Sequence, residues 1–246
     1  MGRHRRGVVW SLALVAAAAI LGGLTLLAAS GIVWPNRVFA ARYEVRGADV
    51  SHHQGLIDWA ALAQDDVDFV YIKSTEGSTH VDEAFQDNWD GARSQGLVTG
   101  AYHFFSFDSS GAAQAPNVIR TVPMAPGMLP PVVDVEAYGR YHDELPDAHS
   151  AQPILDDLLA RLENHFGRPA IIYTTTSVYE ALIRDNYPDN PIWIRSVLTP
   201  APSLADGREW TFWQYSNRDH RSGIATYVDM NVFSGNQRQF DKLRLP

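Results

Sequence analysis

The sequence predicts an α/β fold: a single irregular TIM-like barrel of eight strands and fewer than eight helices, behind an N-terminal hydrophobic helix. Three observations carry this expectation. Short β-branched and aromatic runs alternate with helical patterns over residues 46–243. Several of those runs end in acids or clustered aromatics. Residues 1–36 differ in composition from everything after them.

The N-terminus comes first. Arg3, His4, Arg5 and Arg6 precede an uncharged stretch over 7–36, densest over the 22 residues 8–29. At about 1.5 Å per residue such a helix covers the roughly 30 Å hydrocarbon core of a bilayer. The basic cluster is expected to stay cytoplasmic, so that the rest faces outward. A retained signal-anchor and a cleaved signal peptide both fit. Val38, Phe39 and Ala40 would suit a peptidase, yet the run is longer than the usual signal core of about 7–15 residues. Arg5 and Arg6 are a weak twin-arginine hint. A buried core helix fits poorly, because nearly every face of the run is apolar. Residues 37–46 read as a short linker of mixed charge, and 47–246 as one domain.

Within that domain a strand over 46–51 leads to a helix over 58–64. Residues 69–75 are β-branched and aromatic, a second strand. A helix over 83–94 is stopped by Gly96, and a third strand covers 98–104. Then come a helix over 112–122, a strand over 131–135, a helix over 154–166 with Gly167 behind it, a strand over 170–174 and a helix over 178–184. Strands over 192–194, 209–215 and 227–232 follow, the last two leaving little room for a helix between them. A closing helix covers 236–243. The alternation implies parallel βα units, and the helix-poor last third implies an incomplete outer ring. No glycine-rich turn follows the first strand, so a dinucleotide-binding sheet lacks support.

Composition narrows the function. Hydrophobic content is 46%, enough for a sizeable core. There is no cysteine, which excludes disulfides and thiolate zinc sites. From Gly47 onward 27 acidic side chains stand against 14 basic ones, a formal −13 that disfavours nucleic acid as a partner. No cofactor is expected, and nothing sets an oligomeric state.

The sharpest local feature is Val132-Val133-Asp134-Val135-Glu136. Residues i and i+2 of a strand share a face, so Asp134 and Glu136 point the same way at a strand's C-terminal end, where barrel enzymes place catalysis. Two close carboxyls raise one another's pKa, which keeps one protonated as a general acid. Asp49 ends the first strand and Asp229 lies near the last, its neighbour in a closed barrel. Aromatics accompany these acids: Tyr102 and Phe104, with His103 between them, then Tyr173, Trp193 and Trp213. Sugar rings pack their apolar faces on such side chains. Glu76 either lines the site or caps a turn. His52 and His53, adjacent in a strand, would point oppositely and so not chelate one metal ion.

Taken together, GADVSHHQG (47–55), FVYIKSTEG (69–77), GAYHFF (100–105), PPVVDVE (130–136), AIIYT (170–174), PIWIR (191–195), FWQYS (212–216) and VDMNVF (228–233) resemble glycoside hydrolase family 25, the lysozymes that cleave N-acetylmuramic acid linkages. The resemblance spans about residues 46–241. It implies Glu136 as general acid and later base, Asp134 as the group that orients the substrate's 2-acetamido group, and Asp49 and Asp229 as the rest of an acidic floor. Tyr102, His103, Phe104, Tyr173, Trp193, Trp213, Gln214 and Glu76 are the expected substrate contacts. The implied partner is the glycan strand of peptidoglycan. His53 and Arg195 depart from the family pattern, in which an aromatic and a small residue are common there. The residues alone leave two further readings open: a catalytically silent glycan-binding or scaffold protein, and a chitin hydrolase.

Overall fold

The structure is a computed structural model that describes residues 2–30 and 34–246. Nine strands form one sheet: β1 (Arg46–Val50), β2 (Phe69–Glu76), β3 (His80–Val81), β4 (Val98–Phe104), β5 (Val132–Val135), β6 (Ile171–Thr175), β7 (Ile192–Arg195), β8 (Phe212–Asp219) and β9 (Val228–Phe233). All but β3 close into an eight-stranded barrel in the order β1-β9-β8-β7-β6-β5-β4-β2, with β2 back on β1. β3 is a two-residue strand folded back on the end of β2, too short to show in the sequence pattern.

Seven barrel strands run parallel, as the alternation of elements predicts. β9 is the exception and is antiparallel to both β8 and β1. With no helix between β8 and β9, the chain can only turn back on itself. The reversal brings the first residues of β9 to the end of the barrel where the other strands finish, and pairs Asp229 with Asp49.

The barrel is narrow and its lower interior is packed with rings. Phe69, Tyr71, Trp193, Phe212, Phe233 and Phe240 form one buried cluster, with neighbouring centroids such as Tyr71–Trp193 5.0 Å and Phe69–Phe212 5.3 Å apart. Glycines make this possible. A Cβ on Gly47 would lie 2.4 Å from the Phe69 ring, and one on Gly100 2.1 Å from the Tyr71 ring. The outward residues of the same strands, among them Val70, Ile72, Val133 and Ile172, pack in a second core against the helices.

Those helices are few. α3 (Trp59–Leu62) is a single turn, and the longer ones are α4 (Phe85–Ser94), α5 (Gly111–Thr121) and α6 (Ala148–Phe166). α6 begins six residues before the predicted start because the Asp147 side chain accepts from Ser150 N and caps the helix ahead of Pro153. The predicted helix over 178–184 becomes a three-residue α-turn running into a π-turn, Tyr179–Ile183.

The segment before β1 packs against the barrel instead of spanning it as a linker. Trp34 is buried and donates its indole N–H to Tyr215 O at 2.7 Å. A short helix, α2 (Asn36–Ala40), follows. The Asn36 amide donates to the carbonyls of Ser196, Thr199 and Tyr215. Arg37 pairs at 2.6 Å with Asp219, whose side chain is 1% exposed. This strap runs from the finishing ends of β7 and β8 down to Arg46, whose guanidinium donates to Ala41 O.

Farther toward the N-terminus, α1 (Gly2–Ala29) is a 28-residue helix that exposes Trp10, Leu12, Leu14, Ile20 and Leu26. Among the described residues no helix is long and apolar enough to cross a membrane. Part of the apolar run 8–29 lies outside the described side chains.

The backbones of α5 and α6 approach closely at Gly111. A Cβ on Gly111 would lie 2.4 Å from Leu158 N and 2.5 Å from Ile154 O, both main-chain atoms that cannot swing aside. Gly111→Ala is therefore expected to cost about 1–3 kcal/mol by overpacking. Thermal unfolding should show Tm several degrees lower, with the far-ultraviolet spectrum unchanged.

Candidate active site

Period-two alternation decides what reaches the barrel mouth. On β5 the inward residues are Val132 and Asp134, with Glu136 just past the strand end. On β1 it is Asp49, and on β9 Asp229 and Asn231. Asp49, Ser51, His53, Lys73, Tyr102, Phe104, Asp134, Glu136, Tyr173, Trp193 and Asp229 line one pocket there. An adjoining cleft shares Glu136, Tyr173 and Asp229 and is walled by Ala137, His142, Thr175, Ser177, Arg195 and Asn217.

The four acids converge from three strands, in two arrangements. Asp49 and Asp229 sit in a fixed network. Gln214 Nε2 donates to Asp49 Oδ2 at 3.1 Å and to Asp229 Oδ2 at 3.2 Å. Asn231 Nδ2 donates to Asp49 Oδ2 at 2.7 Å. Both amides are held the right way round from below. The Trp193 indole N–H, which can only donate, meets Asn231 Oδ1 at 3.0 Å, and the Tyr173 hydroxyl meets Gln214 Oε1 at 3.0 Å. Burial raises the Asp49 carboxyl, with the Asn231 and Gln214 hydrogen bonds pulling it back down. Burial and the neighbouring Asp49 charge push Asp229 well above the ordinary carboxylate range.

Asp134 and Glu136 are arranged differently. Asp134 is only 7% exposed, and its Oδ1 is buried with no hydrogen-bond partner. Burial, then the charges of Glu136 and Asp49, push its carboxyl well above the ordinary range. A buried oxygen without a partner is costly, and a donor on a bound ligand would relieve it. Glu136 is more accessible. Burial raises it, while the positive charge of Arg195 draws it back. Tyr102 and Tyr173 are raised well above the usual phenol range, by burial first and then by the acids, so both remain hydrogen-bond donors.

Several expected contacts stand elsewhere. His103 and Trp213 have the opposite parity to their neighbours and face out of the barrel, away from the pocket. His103 bonds Thr75 Oγ1 at 2.8 Å and Gln114 Oε1 at 3.0 Å, and burial pushes its pKa down to about 4, so it is a neutral latch between barrel and α5. Trp213 donates to Ser196 O at 2.9 Å and packs on Tyr43 and Trp210. Gln214 lies beneath the acids rather than on the pocket wall. Trp193 and Tyr173 do line the pocket, as its buried floor. Glu76 reaches the rim only through Lys73, with which it pairs at 2.8 Å.

Lys73, Ser51 and Asn231 were not singled out by the sequence, although the parity of Phe69 and Tyr71 puts Lys73 inward and that of Asp229 does the same for Asn231. His52 and His53 lie in a tight 3₁₀ turn, not a strand, so their rings are 4.0 Å apart instead of opposed; His52 pairs with Asp82 at 2.7 Å. Among the described residues no group of His, Asp and Glu is placed to hold a metal ion.

Residues 48–224 match the model of the glycosyl hydrolases family 25. The chain belongs to that family. It is therefore a glycoside hydrolase. A family 25 glycosyl hydrolase from Bacillus anthracis is 47% identical, with TM-score 0.79 over 82% of this chain and 94% of that one. A bacterial lysozyme from Streptomyces coelicolor is 31% identical, with TM-score 0.74 over 82% and 97%. Lysozyme M1 of Streptomyces globisporus is 32% identical over 78% of this chain and 68% of its own length.

The raised carboxyls fix a sign for stability against pH. Asp134 and Asp229 bind protons in the folded state that they release when unfolded above about pH 4. Stability is therefore fullest below the unfolded value and falls as pH climbs through the raised folded values. Asp134→Asn removes one such group. Its Tm at pH 7 should exceed the parent's by about 2–4 °C, the shift that roughly 1 kcal/mol produces in a domain of this size. A Tm–pH series should show that advantage shrinking toward pH 4.

Proposed function

We propose that this hydrolase cleaves the β-1,4 bond between N-acetylmuramic acid and N-acetylglucosamine in peptidoglycan. One observation carries the residue roles. Asp134 is buried, raised and without a partner on Oδ1, while Glu136, two residues on, sits in the open cleft. Glu136 is the general acid. It gives its proton to the glycosidic oxygen as the bond from the sugar C1 breaks, and the departing chain leaves as an alcohol. Asp134 takes the N–H of the 2-acetamido group on its partnerless Oδ1. Whether C1 is first captured by the acetamido oxygen or directly by water, the Glu136 carboxylate then accepts the proton of the water that completes hydrolysis. Asp49 and Asp229 form the acidic floor, and Tyr102, Phe104 and Tyr173 offer ring faces to the sugar.

Purified peptidoglycan digested by the enzyme should yield new reducing ends that are muramic acid. N-acetylglucosamine there would overturn the assignment, preferential cutting of chitin oligomers would make it a chitinase, and binding without release would make it a scaffold. Glu136→Gln keeps the shape of the site and loses the transferable proton. Its rate of reducing-end release should fall by about 10²–10⁴-fold while glycan binding persists.

The N-terminal region, on this reading, holds the domain at the outer face of the cell membrane, or is removed as a leader during export. Arg3, Arg5 and Arg6 ahead of the uncharged stretch 7–36 support it, as do the exposed apolar side chains of α1. Protease added to intact protoplasts should remove a C-terminal tag and spare an N-terminal one; a protected C-terminal tag would reverse the orientation.

A further inference from the structure

Arg195 ends β7, level with Thr175 of β6 and Gln214 of β8. It lines the cleft that adjoins the acid pocket, together with Glu136 and Asp229. Other arginines near the barrel rim are paired: Arg37 holds Asp219 at 2.6 Å, and Arg221 holds Asp65 at 3.3 Å. The pocket's lysine, Lys73, holds Glu76. Arg195 makes no hydrogen bond and no ion pair with any described residue. Its charge is felt by Asp49, Asp134, Glu136 and Asp229 without contact. Its guanidinium donors therefore have no protein partner among the described residues, and its side chain lines the cleft.

The remaining walls fit the same reading. His142, Thr175, Ser177 and Asn217 add ring nitrogen, hydroxyl and amide groups able to donate, on the side of the cleft away from Asp134 and Asp49. A guanidinium fork matches a carboxylate geometrically, and the bond gains from charge on both partners. A merely structural counter-charge would be expected in contact with an acid, as Arg37 is with Asp219. Arg195 and Glu136 share one cleft, and the Arg195 charge reaches Glu136, so a group that meets Arg195 lies near the acid.

We propose that Arg195 binds a carboxylate carried by the sugar next to the scissile bond, so that this cleft is a subsite for anionic glycan. The proposal rests on the muramidase reading. For muramic acid the carboxylate is that of the 3-O-lactyl group, which is an amide while the stem peptide is attached and a free anion once the stem is gone. The enzyme then favours glycan from which stems have been removed, and consumes the product of an amide-cleaving reaction on the same polymer.

Three glycans test this: peptidoglycan with intact stems, the same material stripped by an N-acetylmuramoyl-L-alanine amidase, and stripped glycan with its carboxyls converted to methylamides. KM and kcat are read from reducing-end release by the full chain and by Arg195→Ala and Arg195→Lys. The parent should show its lowest KM on stripped glycan. Arg195→Ala should raise that KM by about 10–100-fold, the worth of one charge-assisted hydrogen bond. KM on the methylamide should change far less, and Arg195→Lys should recover part of the loss. The proposal is overturned if the parent does not distinguish stripped from amidated glycan, or if Arg195→Ala shifts all three KM values by one factor, which is what a general electrostatic role would do. If the parent cuts none of them, the muramidase reading fails, and equilibrium binding of the same three glycans still decides the role of Arg195.

Discussion

The arrangement of the mouth depends on β9 running against its neighbours. A barrel of eight strands must join its last strand to its first, and here the last connection is too short for the crossover helix that a parallel strand requires. The chain turns back, and the beginning of β9 lies where every other strand ends. Asp229 is thereby set opposite Asp49, and Asn231 one inward position below. A parallel β9 of the same sequence would have put Phe233 at the mouth and the acid farther down the barrel.

That geometry creates an electrostatic difficulty, and the residues around it show how it is met. Four carboxyls at one opening cannot all ionise cheaply in a partly dry site. Two of them, Asp49 and Asp229, are clamped by amides whose orientation is set from beneath by Trp193 and Tyr173. The aromatic floor is thus both packing and wiring: its rings fill the barrel while its polar tips face upward. Asp134 lacks such support and is correspondingly strained, whereas Glu136, raised by burial but checked by Arg195, can exchange its proton with the cleft. Asp134 at the end of β5 and Glu136 just beyond it thus stand in unequal surroundings.

Much of this was legible in the sequence, for a physical reason. The eight barrel strands follow from β-branched runs with turn signals between them, and Asp134 and Glu136 share a face whatever the rest of the fold does. The less legible parts depend on direction and tertiary packing. No local pattern in 228–233 states that the strand is reversed. His103 and Trp213 sit in the sequence among inward-facing neighbours, but strand parity turns them outward from the barrel. His52 and His53 read as strand residues until Ser51 caps a turn beneath them. Residues 37–46 read as a linker because their mixed charge hides a long-range pair, Arg37 with Asp219, 182 positions apart.

The strap has a further consequence. It begins at the rim, beside Tyr215 and Asp219, whereas the chain's other end leaves from the floor, where Gly127 N and Met128 O bond Leu245. The two termini of the barrel domain thus mark its opposite poles. Held to a surface through its carboxyl end, the domain would present its mouth outward to glycan in suspension. Held through the segment before Trp34, it would turn the same mouth toward the surface that carries it, and the polymer within reach would be the layer lying closest to that surface.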